Sequence, residues 1–311
     1  MSVAVSPPSP PRHVAGNVAR RKFTNRLMLI LCSLAAGLAI LVLGLVLYFL
    51  LSKGFSSLHL TLFTQVPNNV ETEKGGMAQS IFGTLVLLGL ASLVGLPLGL
   101  LGGIYQLEAR GKFASLVRFF TDVLNGIPSI VIGIFAYAAI VVPVARAHPG
   151  TGFSAYAGGF ALGILMVPTV MRTTEEILRL VPFSLREASL GLGATRWRTM
   201  WSVVLPAARG GVITGIMLAL ARIAGETAPL LFTILGTEYF TTHTVLGGRV
   251  PVPTLNAPID ALPLRIYKYS QDVDPNHNAQ AWAGAVVLIT LILVLSIAAR
   301  FATRGSVLED K

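Results

Sequence analysis

The sequence predicts an all-α, polytopic membrane protein with about six transmembrane helices, and three observations carry that prediction. Of 311 residues, 53% are hydrophobic and only 12% are charged, more apolar surface than one soluble core can bury. Several charge-free stretches reach the ~20 residues an α-helix needs to cross a hydrocarbon layer ~30 Å thick. Lys and Arg, finally, are sorted unevenly between alternate connections, as in multi-span membrane proteins.

The first span is Leu27 to Leu51, a run with no charge at all. The second covers about Ser80 to Gln106 and the third about Phe119 to Ala145; both carry Gly and Pro, which membrane helices tolerate better than soluble ones. A fourth, shorter span is placed at Ala155 to Met171 with a kink at Pro168. The fifth covers about Gly210 to Leu235 despite holding two charges, and the sixth about Trp282 to Ala299. The polar arm, residues 1–26, has Pro7, Pro8, Pro10 and Pro11 among small residues and is expected to be disordered. Its length, and that of the span after it, argue for a retained helix over a cleaved signal peptide. Cys32 is the only cysteine, so no internal disulfide forms.

With these spans, 17 of the 24 Lys and Arg residues fall on one side of the membrane, six fall on the other, and Arg222 lies within the fifth span. The side richer in Lys and Arg is cytoplasmic, which puts both termini in the cytoplasm. The same bias accounts for the net charge of +10 without a nucleic-acid partner. On the opposite face, the segment from Gly236 to Ala281 carries five prolines among polar and aromatic residues. It either docks a partner or fills the outer mouth as an ordered loop.

Nothing in the chain reads as enzyme chemistry. The five histidines lie outside the spans without metal-ligand spacing, so neither a catalytic residue nor a metal site is expected. A nucleotide phosphate loop is missing too: Gly111-Lys112 has Gln106 where the motif needs Gly, and Phe113 follows. If ATP drives this protein, another chain hydrolyses it.

The connection between spans four and five is the most informative. Phe183-Ser184-Leu185-Arg186-Glu187-Ala188-Ser189 leads into Leu190-Gly191-Leu192-Gly193, and Val203-Val204-Leu205-Pro206 closes it. Helix formers with amphipathic spacing, broken near Gly191 and Gly193, predict two short helices joined at a glycine turn. A helix pair that binds another protein has this pattern, and so does an interfacial amphipathic segment.

Glu187, Ala188 and Ser189, with Gly193 six residues after the Glu and Val203, Leu205 and Pro206 ten to thirteen residues beyond Gly193, resemble the EAA loop of ABC-importer permeases. The family pattern is Glu-Ala-Ala, three residues, Gly, nine residues, an apolar residue, one residue, then Leu-Pro. Only Ser189 and Val203 depart from it. Further runs resemble the phosphate-import permeases of PstA type: Arg172-Thr173-Thr174-Glu175-Glu176, Asn125-Gly126-Ile127-Pro128-Ser129 and Ala221-Arg222-Ile223-Ala224-Gly225-Glu226-Thr227-Ala228-Pro229. The likeness runs from the first span onward and excludes the arm.

The resemblance implies a type I ABC-importer (MetI-like) fold. Combined with the spans read from hydropathy, it divides the chain into a disordered cytoplasmic arm (1–26), a first transmembrane helix (27–51), an extracytoplasmic segment (52–79), a permease core (80–300) with a coupling loop at 172–208, and a cytoplasmic tail (301–311). It further implies a non-catalytic subunit forming half of a path for inorganic phosphate. The partners are a sister permease, two copies of an ATP-binding ATPase subunit and an external phosphate-binding protein. ATP and magnesium would sit on the ATPase, with no cofactor in this chain. Glu187, Ala188, Gly193, Leu205 and Pro206 would form the loop that seats in the ATPase. A permease for molybdate or sulfate is the nearest alternative, since all of these carry oxyanions. A secondary transporter would use intramembrane charges and broken helices but would need no such loop.

Arg222 and Glu226 are the two ionisable residues of the fifth span. Each costs roughly 3 kcal/mol at the centre of a membrane helix, so both must face protein or water. Their i, i+4 spacing puts them on one helix face. Either they are an ion pair that fixes span five to a neighbour, or they line the path. In the second case Arg222 contacts the anion transiently, Glu226 limits how tightly it is held, and Arg172 offers a further contact near the cytoplasmic exit.

Overall fold

The structure is a computed structural model and describes residues 15–67, 75–109, 111–245 and 250–304. The chain falls into two compact units, residues 1–52 and 53–311. Helix α1 (Ala15–Ser56) makes up, as far as Ser52, the described part of the first. Half of the expected disordered arm is therefore corrected, since residues 15–26 are helical. The Pro cluster that argued for disorder ends at Pro11, outside the described residues, and no proline interrupts the chain from Ala15 to the end of α1.

In the second unit the chain passes through α2 (Thr61–Thr64), α3 (Ala78–Glu108), α4 (Lys112–Gly126) and α5 (Ser129–Ala136). A π-helical turn at Tyr137–Val141 leads into α6 (Val142–Ala147), followed by α7 (Ala155–Arg179), α8 (Phe183–Gly191) and α9 (Arg196–Thr199). A second π-helical turn at Met200–Val204 enters α10 (Leu205–Ala224), and α11 (Ala228–Thr233) comes after a break. Strands β1 (Thr242–Val245) and β2 (Val250–Pro253) pair antiparallel, Thr242 opposite Pro253 and Val245 opposite Val250. Helices α12 (Leu262–Ser270) and α13 (Pro275–Arg304) complete the unit. Six helical segments are long and apolar enough to cross a membrane, as expected, and the small β-ribbon is the one addition to an otherwise all-α fold among the described residues.

The boundaries differ from expectation at three places, each for a physical reason. The third span is broken: α4 stops at Gly126, and the apolar crossing starts only at Ser129, because Ile127 precedes Pro128 and is extended (φ −72°, ψ 131°). The fourth helix does not stop at Met171 but runs on to Arg179. Its charges are paired within the helix, Arg172 with Glu176 and Arg179 with Glu175, so they extend it where hydropathy alone would end it. The fifth crossing begins at Arg196 and ends at Ala224, before the second half of the expected span.

Helices α3 and α7 form the centre of the unit, and small residues let them approach. A Cβ placed on Gly95, Gly99 or Gly103 of α3 would lie 2.8 Å from Met166 Cβ, 2.6 Å from Val170 Cβ and 2.7 Å from Thr174 Cβ. Without a hydrophobic drive between helices in lipid, such close backbone packing is what holds membrane helices together. Leu87, Met166, Ile223 and Leu230 bring α3, α7, α10 and α11 into one buried cluster.

Candidate translocation path and coupling loop

Arg222 sits in the last turn of α10, which closes at Gly225. Pro229, in the first turn of α11, lacks the N–H that a continuous helix would need there. Glu226 therefore lies in the break and not within a helix, contrary to the sequence expectation, although it still faces Arg222. Arg222 Nε is 3.9 Å from Glu226 Oε1, with side-chain exposures of 47% and 20%. Arg222 Nη1 donates a long bond, 3.4 Å, to Thr169 Oγ1. Thr169 stands near the middle of the 25-residue α7, so the guanidinium meets α7 a little past its halfway point. A guanidinium has five N–H donors, and these two weak contacts are the only side-chain polar contacts of Arg222 among the described residues. Its neighbours Ala219, Ile223 and Ala224 are buried, so the group is fixed at its root and open at its tip.

One turn further along α7, Arg172 is held differently. Its Nε donates to Glu176 Oε1 at 2.7 Å, and its Nη1 lies 3.6 Å from Asp122 Oδ1 on α4. Arg172 thus lies one turn from Thr169, well inside the helix and not at its end. Two carboxylates screen its charge. Asp122 escaped the sequence reading because its partner is on another helix; its position on a strongly amphipathic α4 was the available signal.

A separate set of charges is structural. Glu175 is buried and receives Arg118 from α4 at 3.2 Å and Arg179 at 2.5 Å. Arg118 also donates to the Gln106 carbonyl at 2.9 Å, and Gln106 Nε2 donates to Thr121 Oγ1 at 2.8 Å. These bonds tie α3, α4 and α7 together at the end of the unit that carries α8.

The expected helix–turn–helix is present as α8 and α9. Gly193 takes φ +86°, the left-handed region open to glycine. Its N–H donates to the Leu190 carbonyl at 2.9 Å, and the Ala194 N–H donates to the Ser189 carbonyl at 3.2 Å. This double bond closes α8 as a Schellman turn. Thr195 caps α9 by accepting from the Arg198 N–H at 3.3 Å. The Ser189 and Thr199 hydroxyls meet at 2.9 Å and brace the two helices, which gives a role to the serine that departs from the Glu-Ala-Ala pattern. Arg186 anchors α8 to the span ends: Nη1 is 2.9 Å from Glu108 Oε1 of α3, and Nη2 donates to the Leu178 carbonyl of α7 at 3.0 Å. Glu187 and Ala188 are exposed beside it, while Leu205 and Pro206 open α10.

At the opposite end, the segment after α11 is ordered over its described residues. Buried Arg265 donates from Nε to Asp260 Oδ2 at 2.7 Å and from Nη2 to the Thr237 carbonyl at 2.7 Å. Burial opposes the Arg265 charge, but Asp260 and their hydrogen bond outweigh it, and the guanidinium pKa is raised above its ordinary value. Among the described residues no group of His, Cys, Asp and Glu is arranged to hold a metal ion.

Six membrane-length helical segments, with a braced helix pair between the fourth and the fifth, fit a multi-span inner-membrane component of a transport system. Residues 95–305 match the family described as binding-protein-dependent transport system inner membrane component, and the chain belongs to that family. It is 38% identical over 285 residues to the phosphate transport system permease protein PstA of Haemophilus influenzae, covering 90% of this chain and 94% of that one. The Yersinia pestis protein of the same name is 39% identical over 284 residues, covering 91% and 90%. The probable phosphate permease PstA of Methanocaldococcus jannaschii is 35% identical over 237 residues, covering 75% and 78%. In fold, the chain is similar to a chain of the inward-facing MetNI methionine ABC transporter (TM-score 0.51, 21% identity, 73% of this chain and 92% of that one).

Proposed function

We propose that this chain is the transmembrane permease subunit of an ATP-driven inorganic phosphate importer and lines half of its path. The observation that carries the reading is the half-exposed guanidinium of Arg222, loosely held by Glu226 and Thr169. An anion needs a charge-assisted contact there, and one that forms and breaks. Arg172, below it, is shielded by Glu176 and Asp122, so an anion leaving Arg222 meets a cation whose attraction is already reduced. The names of the relatives supply phosphate as the substrate.

Both termini are cytoplasmic in this reading, by the distribution of Lys and Arg. The exposed Glu187 and Ala188, with the turn at Gly193, seat in a separate ATPase subunit, where ATP and magnesium bind. Two such subunits, a sister permease and an external phosphate-binding protein complete the transporter, and this chain needs no cofactor. The test is uptake of labelled phosphate by vesicles holding the copurified complex, with excess sulfate or molybdate as competitor. Uptake that requires ATP and resists both competitors is the expected result. Uptake suppressed by either competitor would reassign the substrate, and uptake driven by an ion gradient without ATP would overturn the class.

A further inference from the structure

We infer that the cleft behind α8 is a binding site for one anionic phospholipid. The cleft measures about 770 Å³ and lies between α8, α9 and the ends of α3 and α7, within the size range of sites for small organic ligands. Its walls are of two kinds. Leu107, Leu180 and Phe183 line an apolar side, and Arg179, Arg186 and Arg196 a cationic one. Leu180 and Phe183 are 81% and 70% exposed within this chain.

Three observations select the occupant. First, the cleft sits where membrane spans end: α3 stops at Glu108, α7 at Arg179, and the fifth crossing starts at Arg196. That is the depth of lipid headgroups, and basic pockets between spans on the cytoplasmic side bind acidic headgroups. Second, the charge is unbalanced. Arg179 is met by Glu175 and Arg186 by Glu108, but the Arg196 side chain has no hydrogen bond or ion pair among the described residues. A phosphodiester supplies the missing acceptor, and acyl chains cover Leu180 and Phe183. Third, none of Glu187, Ala188 and Ser189 lines the cleft. Phe183, Arg186 and Leu190 line it and share one side of α8 by their three- and four-residue spacing, with Glu187 at the edge of that side and Ala188 off it. A lipid seated there wedges α8 against the span ends. The side of the membrane rests on the permease reading; binding itself does not.

The experiment uses the assembled transporter in phosphatidylcholine nanodiscs, with a photoreactive acyl-chain probe on either phosphatidylglycerol or phosphatidylcholine. Cross-linked peptides are read by mass spectrometry. The expected result is labelling of the 179–192 peptide by the phosphatidylglycerol probe, roughly tenfold above the phosphatidylcholine probe, as one charge-assisted contact provides. In Arg196→Gln that preference is lost, and in Leu180→Gln labelling falls while the complex still elutes intact. Inorganic phosphate and glycerol phosphate do not compete. Equal labelling by both probes, a preference unchanged in Arg196→Gln, displacement by inorganic phosphate alone, or labelling confined to the ATPase chain would each overturn the assignment. Transport is not the readout, so failure here is distinct from failure of the phosphate reading.

Discussion

Arg222 and Glu226 face each other across the broken end of α10, with Nε 3.9 Å from Oε1 and no helix joining them. The pair is too open to be a strong lock, and its two roles separate by mutation. Arg222→Lys keeps the charge but loses the planar fork, and phosphate uptake is expected to fall by about tenfold or more. Joint neutralisation, Arg222→Gln with Glu226→Gln, would partly rescue a structural pair, whereas a path arginine is not rescued. Uptake near wild type in the double variant, at normal membrane abundance, would leave the pair structural.

Gly193 has open space around its Cβ position but a left-handed backbone. Gly193→Ala costs about 1–2 kcal/mol of local strain and is expected to leave stimulated ATP hydrolysis largely intact. Gly193→Trp adds bulk where a partner groove must come close and is expected to abolish that stimulation while insertion proceeds. Glu187→Lys weakens copurification of the ATPase. Normal composition and normal stimulated hydrolysis in both Gly193→Trp and Glu187→Lys would sink the coupling role.

Topology is checked by cysteine labelling in a Cys32→Ser background. Single cysteines at Gly150 and Asn256 are expected to react with an impermeant reagent from outside, and those at Gly111 and Thr195 only after permeabilisation. The reverse pattern would invert the orientation.

A Cβ on Gly99 would lie 2.6 Å from Val170 Cβ in the α3–α7 seam, and Gly89 on the same helix has nothing within 4 Å of its Cβ position. Gly99→Leu is therefore expected to destabilise by about 1–3 kcal/mol, as overpacking does, and to lower the thermal midpoint in detergent. Gly89→Leu, the matched control, leaves it nearly unchanged.

The Asp272 carboxyl, outside the spans, is held below its ordinary range by its hydrogen bond with His277 and by the Asp274 N–H. A depressed folded-state pKa contributes stability that is present above the unfolded value, about 4, and is lost as pH falls through the folded value. The difference in thermal midpoint between wild type and Asp272→Asn is expected to be positive at neutral pH and to vanish on acidification. A difference that stays constant down to strongly acid pH would remove this linkage.

How far this was legible in the sequence depends on the range of each interaction. Span existence and the helix–turn–helix are local: hydropathy, Pro, Gly and fixed spacing announce them, and Gly193 falls at the turn where its spacing put it. The extension of α7 to Arg179 was hidden because its charges are neutralised in pairs that hydropathy counts singly. Asp122 beside Arg172, Glu108 beside Arg186 and Thr199 beside Ser189 were hidden because each pair is made by tertiary packing. Arg186 in particular sits next to the Glu of the motif, yet its partner is 78 residues away. The break at Gly225 was written in Gly225 and Pro229, but the apolar residues on either side masked it in a hydropathy reading.

The glycine seam also fixes where this protein is stiff. At Gly99 and Gly103 the side chains that meet α3 are the short, branched Val170 and Thr174, with no long side chain between to act as a spring. A push delivered through Arg186 to Glu108 and Leu178 at the far ends of these helices therefore travels along α3 and α7 as along one beam. Bending concentrates at the two interruptions, Ile127–Pro128 and Gly225–Thr227, and α11 beyond the second packs on α5 beyond the first. The second joint carries Glu226, so a change of angle there alters the reach of the Arg222 guanidinium directly.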